Sequence, residues 1–277
     1  MLTLSLASLL TSPSLASAQD EAPPESAESI LRKVVDAYAA LETYADTGDA
    51  VTEIESDGVK TSHSLTFETA WRDPDRLRFV CTGADATGDG DDVFAMWSDP
   101  EVEGAIVWWE TLADIGKEPK QRHADLRAPM QMATSISSGV ASMVVPLLMG
   151  EYTSMATGVN DPILEDDEDI DGARCRVISG RYGDMADVTL WIGADDMLIR
   201  RIRTFTDSES MQRMRGEIGE EDYYPRQKMD VRVPEDMTST TTINFAPTAD
   251  PTVADEDLIF TPPEAKQAEA EPSEDSR

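Results

Sequence analysis

Histidine, cysteine and basic residues are scarce in this chain of 277 residues, and each scarcity removes a class of function. Two histidines, His63 and His123, and two cysteines, Cys81 and Cys175, leave almost no material for a histidine-based zinc site or a Ser-His-Asp triad. Neither a G-x-S-x-G elbow nor a P-loop occurs. Only 23 Lys+Arg stand against 55 Asp+Glu, a formal net charge of -32, so nucleic acid and anionic headgroups are repelled at long range. So acidic a surface serves solubility, above all in a salty medium where counterions screen self-repulsion. The abundant carboxylates include no pair marked out for glycoside hydrolysis, and most acids on such a polyanion are simply solvated. What remains is a binding protein, with no enzyme activity, no cofactor and no metal expected.

Long hydrophobic runs are absent as well. The first residues, Met1 to Leu10, are apolar and uncharged but too short to cross a bilayer, and Ala16-Ser17-Ala18 follows as an A-x-A cleavage site. Residues 1–18 are therefore expected to be a signal peptide, and the mature protein to be soluble and periplasmic or otherwise extracytoplasmic, although the usual Lys or Arg is missing from the n-region. In that compartment Cys81 and Cys175 either pair or sit as two small buried hydrophobes, and both alternatives are open at this level.

What the chain does have is alternation. A hydrophobic content of 40% is enough for a sizeable core. Ser26-Ala27-Glu28 opens an amphipathic helix with Ile30, Leu31, Val34, Val35, Tyr38 and Leu41 at helical spacing. From Tyr44 the period becomes two: strands over Tyr44–Glu55 and Thr61–Trp71 flank an Asp57-Gly58 turn. Asp73-Pro74-Asp75 makes the next turn, and strands are expected over Arg76–Cys81, Val93–Trp97 and Ala105–Trp109. The run from Gly83 to Asp92 is a Gly/Asp-rich loop. From Thr111 to Gly150 the pattern breaks into short apolar helices interrupted by Pro129, Gly139 and Pro146. They are either an ordinary core pair or a movable lid whose Met130, Met132, Met143 and Met149 adapt to apolar ligands. Strands resume over Ala173–Ser179, Val188–Ile192, Met197–Phe205, Met229–Val233 and Thr238–Phe245. Ser208–Arg226 reads as a charged insertion, and residues 264–277 as a disordered acidic tail.

Asp167-Glu168-Asp169-Ile170-Asp171-Gly172 matches the first half of an EF-hand loop, but position 12 is Ile178 where a bidentate Glu is needed, and flanking helices are missing. The run is an exposed acidic turn feeding a strand. Trp71, Trp97, Trp108, Trp109 and Trp191 all fall in or beside strand-like runs, where an inward indole builds an apolar wall.

Four segments in this order, Ala39-Ala40-Leu41-Glu42-Thr43-Tyr44, Phe67 to Phe79, the strand pair Val188–Ile192 and Leu198–Ile202, and the closing Phe260-Thr261-Pro262-Pro263, resemble the outer-membrane lipoprotein carrier (LolA-like) superfamily. The resemblance covers residues 26–263 as one domain. It implies an α+β fold: a strongly curved antiparallel sheet, an open half-barrel, with an N-terminal helix and a central helical lid. It implies a carrier that holds lipoprotein acyl chains or other lipid in an apolar cavity, with a membrane-bound donor or acceptor protein as partner, acting as a monomer. An envelope sensor or regulatory protein-binding module on the same fold is the alternative. The expected ligand-binding residues are Phe67, Trp71, Phe79, Trp97, Trp109 and Trp191 on the sheet, with Met130, Ile136, Met143 and Leu147 on the lid. The family's lid-holding arginine falls at Arg72, with Arg76 or Arg78 as substitutes.

Overall fold

The computed structural model describes residues 25–262 apart from 75, 85–90, 99–100, 102–103, 110–119, 151–153, 184 and 218–232. The expected signal peptide and acidic tail lie outside the described residues, as do most of the Gly83–Asp92 loop and all but the last residue of the strand expected over Met229–Val233.

Helix α1 (Ala27–Ala39) starts where Ser26 caps it, the Ser26 hydroxyl accepting the Ser29 N–H at 3.3 Å. Its buried residues Ile30, Leu31, Val34 and Tyr38 repeat at helical spacing and form the stripe that docks on the sheet. The chain then enters β1 (Thr43–Ser56) and β2 (Val59–Arg72), a hairpin whose Asp57 and Gly58 both have left-handed φ, 52° and 73°. That is the backbone a tight two-residue turn requires, and Asp-Gly supplies it at little steric cost. Further strands are β3 (Arg76–Ala84), β4 (Asp91–Ser98), β5 (Ala105–Trp109) and β6 (Lys120–His123). After the helices α2 (Arg127–Ile136) and α3 (Ala141–Leu148) come β7 (Asn160–Leu164), β8 (Glu168–Ile170), β9 (Ala173–Tyr182), β10 (Ala186–Gly193) and β11 (Ile199–Asp207). Helix α4 (Ser208–Glu217), β12 (Thr238–Phe245) and β13 (Thr248–Ala249) complete the order.

The thirteen strands make one antiparallel sheet in the order β6-β5-β4-β3-β2-β1-β12-β11-β10-β9-β7, with β13 on β1 and β8 on β9. Among the described residues it does not close: β6 and β7 are its two ends, and the result is an open half-barrel with helices over its inner face.

Register determines what faces inward. One row across five strands reads Asp46, Thr69, Phe79, Met96 and Val107; the next reads Gly48, Phe67, Cys81, Phe94 and Trp109. Apart from Asp46, Thr69 and Gly48, these residues join α1, α2 and α3 in the main core. Side chains of opposite parity point to the outer face, where three small clusters form. Trp97 and Trp108 pack with Phe260, Ala70 with Val253 and Leu258, and Trp191 with Ile170, Cys175 and Val177. Cys81 therefore belongs to the inner core and Cys175 to an outer cluster; both are free thiols, and the sheet separates them.

Four strands escaped the sequence reading, among them the two-residue β13. β6 is Lys-Gln-Arg-His and carries no apolar alternation, and β7 is short and contains Pro162. β8 lies inside the acidic run, turned back on β9 by Asp171 and Gly172 at φ 50° and 84°. The supposed insertion begins as α4, its first turn held by Asp207, whose carboxylate accepts the Ser210 N–H at 2.8 Å.

Gly48 has no room for a side chain: a Cβ there would lie 2.1 Å from the Asn244 carbonyl oxygen and 2.4 Å from Cζ of Phe67. The bare backbone lets Phe67 reach Phe245 edge-on, with ring centroids 5.4 Å apart. Gly48→Ala is expected to lower stability by about 2–4 kcal/mol, read as an earlier urea midpoint with unchanged slope.

Candidate functional site

Helices α2 and α3 cover the inner face beside α1. Six residues of α3, Ala141, Met143, Val144, Val145, Leu147 and Leu148, are buried, which leaves this short helix almost no polar side. α2 touches β4 and β5, and α3 packs on α1 and α2. Neither helix has a side-chain cap, Pro146 interrupts α3, and the link between them passes through Ser138 and Gly139 at φ 52° and 90°. Among the described residues, the hydrogen bonds of the pair close within residues 125–155: Arg127 N–H to Asp125, Thr134 to the Met130 carbonyl, Ala141 N–H to Ser137, Ser142 to Gly139 and Met155. Apolar contact thus attaches the pair to the sheet.

The sheet brings most of the expected binding residues together. Phe67, Trp71 and Phe79 lie buried in the inner core with Met143 and Leu147, and Trp109, Met130 and Ile136 pack against it half-buried. Trp97 and Trp191 do not line this face. On β4, Phe94 and Met96 point inward, so Trp97 must point outward; on β10, Leu190 and Ile192 point inward and Trp191 outward. There Trp191 donates its indole N–H to Glu168 Oε2 at 2.8 Å, with the Arg201 guanidinium 5.7 Å from the ring centroid.

Arg72 is not in contact with the lid. It shares the outer parity of Ala70 and binds the C-terminal segment, donating to the Val253 carbonyl at 3.3 Å and to Asp255 Oδ1 at 2.5 Å. Arg76 pairs with Arg72 across the β2–β3 ladder and has the same parity, and Arg78 is bound to Glu68. The pleat forbids all three from reaching the helices. The acidic run is engaged as well: Asp167 accepts hydrogen bonds from Arg174 and Arg176, and among the described residues no group of three or more His, Cys, Asp or Glu side chains is placed to hold a metal ion.

The apolar cavity expected beneath the helices is instead filled by side chains. Phe79, Phe94, Met96, Val107, Leu190 and Ile192 have 0% exposure, so a guest can reach them only when the helices move. A groove of about 950 Å³ follows the helix pair, with Leu126, Met130, Pro146 and Met149 as its apolar wall and Asp125 and Arg127 among its polar residues. Inside, the indole N–H groups of Trp71 and Trp109 and the Tyr182 hydroxyl are buried without a hydrogen-bond partner among the described residues.

Sequence reasoning missed one buried polar network. Tyr44 and Asp46, two residues apart on β1, both turn inward. The Tyr44 hydroxyl donates to Asp46 Oδ2 at 2.9 Å, and the Ala246 N–H donates to Asp46 Oδ1 at 2.9 Å. The Tyr38 ring of α1 lies 5.7 Å from that of Tyr44, and its hydroxyl accepts the Ile199 N–H at 3.1 Å. Burial pushes the Asp46 carboxyl up from 3.8 to about 7, against the lowering effect of these hydrogen bonds and of Arg200. Burial likewise raises Tyr38 and Tyr44, and pushes the Cys81 thiol up to about 12. The period-two spacing of Tyr44 and Asp46 was the available signal, but a lone acid on an apolar face of so acidic a chain does not stand out.

No protein-family model matches the chain, and no curated protein matches it. Among solved structures, it is similar to a LolA superfamily protein from Nitrosomonas europaea, at 10% identity over 86% of this chain and 99% of that one, with a TM-score of 0.29. LprF from Mycobacterium bovis is similar at 11% identity over 82% and 94%, with a TM-score of 0.43. In the MucA/MucB complex of Pseudomonas aeruginosa the matching chain is similar at 10% identity over 85% of this chain, which spans 61% of that one, with a TM-score of 0.30. The likeness is one of fold.

Because the Asp46 carboxyl is raised in the folded state, the stability its proton contributes is complete below about pH 4 and is lost as pH rises through about 7. Asp46→Asn imitates the protonated form at every pH. The wild type is expected to match the variant near pH 4 and to fall behind it by a few kcal/mol (~3) at pH 8, measured by urea unfolding at both pH values.

Proposed function

We propose that this protein is an extracytoplasmic carrier or binding protein that receives an acyl chain, on a lipoprotein or as free lipid, onto the inner face of its half-barrel while the α2–α3 pair moves aside. One observation carries the reading: the pair covers a largely apolar face, and among the described residues its hydrogen bonds close within residues 125–155. Exchanging an apolar lid for an apolar guest leaves the sheet buried throughout, and each methylene the guest buries contributes about 0.8 kcal/mol. Opening costs little where, among the described residues, apolar contact rather than hydrogen bonds ties the cover to the sheet.

The buried indole N–H groups of Trp71 and Trp109 offer donors to ester or carboxyl oxygens at the head of such a chain. Binding of this kind requires no covalent chemistry, which suits a chain with two histidines and no placed nucleophile. A carrier needs a membrane-bound donor or acceptor, and at a net charge of -32 it is kept off anionic surfaces until that protein engages it.

The test uses parity. In variants that retain a single tryptophan, a brominated fatty acid is expected to quench Trp109, on the inner face, and to leave Trp97, on the outer face, unaffected. Mass spectrometry of organic extracts from natively purified protein should find lipid. Equal quenching at both positions, or a stoichiometric protein partner without lipid, would replace the carrier with a sensor or another protein-binding module.

A further inference from the structure

Charge is divided unevenly between the two faces of the sheet. From Leu65 to Trp71 on β2, Leu77 to Cys81 on β3, Phe94 to Ser98 on β4 and Ala105 to Trp109 on β5, every inward side chain is uncharged. The arginines of the same strands, Arg72, Arg76 and Arg78, have the outer parity. Arg174 and Arg176 of β9 share the inner parity of Ile178, but Asp167 binds both, and Arg200 of β11 is bound by Asp196.

The acid beside this neutral wall is Asp46 on β1, 4% exposed. Asp46 is paired in register with Thr69, and Tyr44 with Trp71. Trp71 therefore stands diagonally across the ladder from Asp46, a spacing of about 7–8 Å in an antiparallel pair. Trp71 is 3% exposed, and its indole N–H has no hydrogen-bond partner among the described residues. Both Asp46 oxygens are engaged, Oδ2 by the Tyr44 hydroxyl and Oδ1 by the Ala246 N–H. The titratable and charged groups that face it are Tyr44 on its own strand, Tyr38 on α1 and Arg200 on β11.

An indole N–H can only donate, so a guest that satisfies Trp71 must present an acceptor oxygen. Esters, amides and carboxylates all do, and charge is what separates them. A carboxylate taken into this wall exchanges its water for a neutral donor and no cation, whereas an ester carbonyl arrives uncharged. Burial raises the Asp46 carboxyl to about 7, so above neutral pH it is ionised and meets an anionic head with a like charge.

We propose that the inner face filters acyl lipids by charge: it admits a chain whose head is neutral, an ester or an amide, with the Trp71 indole N–H donating to the acyl carbonyl, and it rejects the carboxylate of a free fatty acid, with Asp46 as the repelling group. The filter rests on the carrier reading and narrows its ligand to one chemical class. A free acid enters as its protonated form, less readily as pH rises.

The test is made on the full chain at pH 8 and reads quenching of tryptophan fluorescence by three probes of equal chain length: a brominated fatty acid, its methyl ester and the corresponding bromoalkane. The ester is expected to bind at least about tenfold more tightly than the acid. Asp46→Asn, expected to be the more stable protein at this pH, should narrow that ratio to about threefold. Trp71→Phe should cut the preference for ester over bromoalkane about fivefold, the loss of one hydrogen bond. The Asp46→Asn comparison decides the matter even where Trp71→Phe does not fold. An acid that binds as tightly as the ester, or a ratio that its substitution leaves unchanged, would overturn the filter while the carrier reading stands. Quenching by none of the three probes would remove the acyl reading itself, and the filter with it.

Discussion

Burial of both faces of a single sheet is the constraint on which this protein depends. Inward side chains such as Phe79, Phe94 and Leu190 meet three helices, while outward ones such as Ala70, Trp97 and Trp191 meet the C-terminal strap or β8. A strand covered on both sides must be apolar on both sides, which is why β4 reads Val-Phe-Ala-Met-Trp without clean alternation. The position of every tryptophan, cysteine and arginine that matters follows from its parity in this pleat.

The covers differ in how they are fastened. The strap is held by hydrogen bonds to Thr43 and Arg72 and by Phe260 between two tryptophans; α1 is held by its cap, its apolar stripe and the Tyr38 hydroxyl. The α2–α3 pair has apolar contact with the sheet and internal hydrogen bonds. Free energy of local opening falls where polar ties are few, so the molecule is graded from a fixed outer strap to a loosely tied inner lid. The polar atoms left unpaired among the described residues of the inner core, at Trp71, Trp109 and Tyr182, lie on the same side of the sheet as the loose cover.

The Tyr38, Tyr44 and Asp46 network sits where α1 meets the sheet and introduces the opposite kind of fastening. It is polar, buried and directional, and it sets the position of α1 through the Ile199 amide. The cost is a carboxyl taken out of water, and burial is what raises its pKa.

Much of this was legible in the residues. Helical spacing from Ile30 to Tyr38, the Asp57-Gly58 turn, the exact extent of β5 and β12, and the presence of an interrupted apolar pair somewhere within 111–150 are local properties, set by periodicity and turn chemistry. β6, β7 and β8 were not legible, since edge strands this short owe their conformation to a neighbour's hydrogen bonds. The site was only half legible. That Trp97, Trp109 and Trp191 sit in strands follows from the sequence, but the face each one occupies depends on the register between strands far apart in the chain. Local patterning thus determined that there would be a long antiparallel sheet with a weakly built helical cover. Tertiary pairing alone decided that Trp109 lies under that cover, that Trp97 and Arg72 belong to the strap, and that Cys81 and Cys175 lie on opposite sides, because a shift of one residue in register exchanges the two faces.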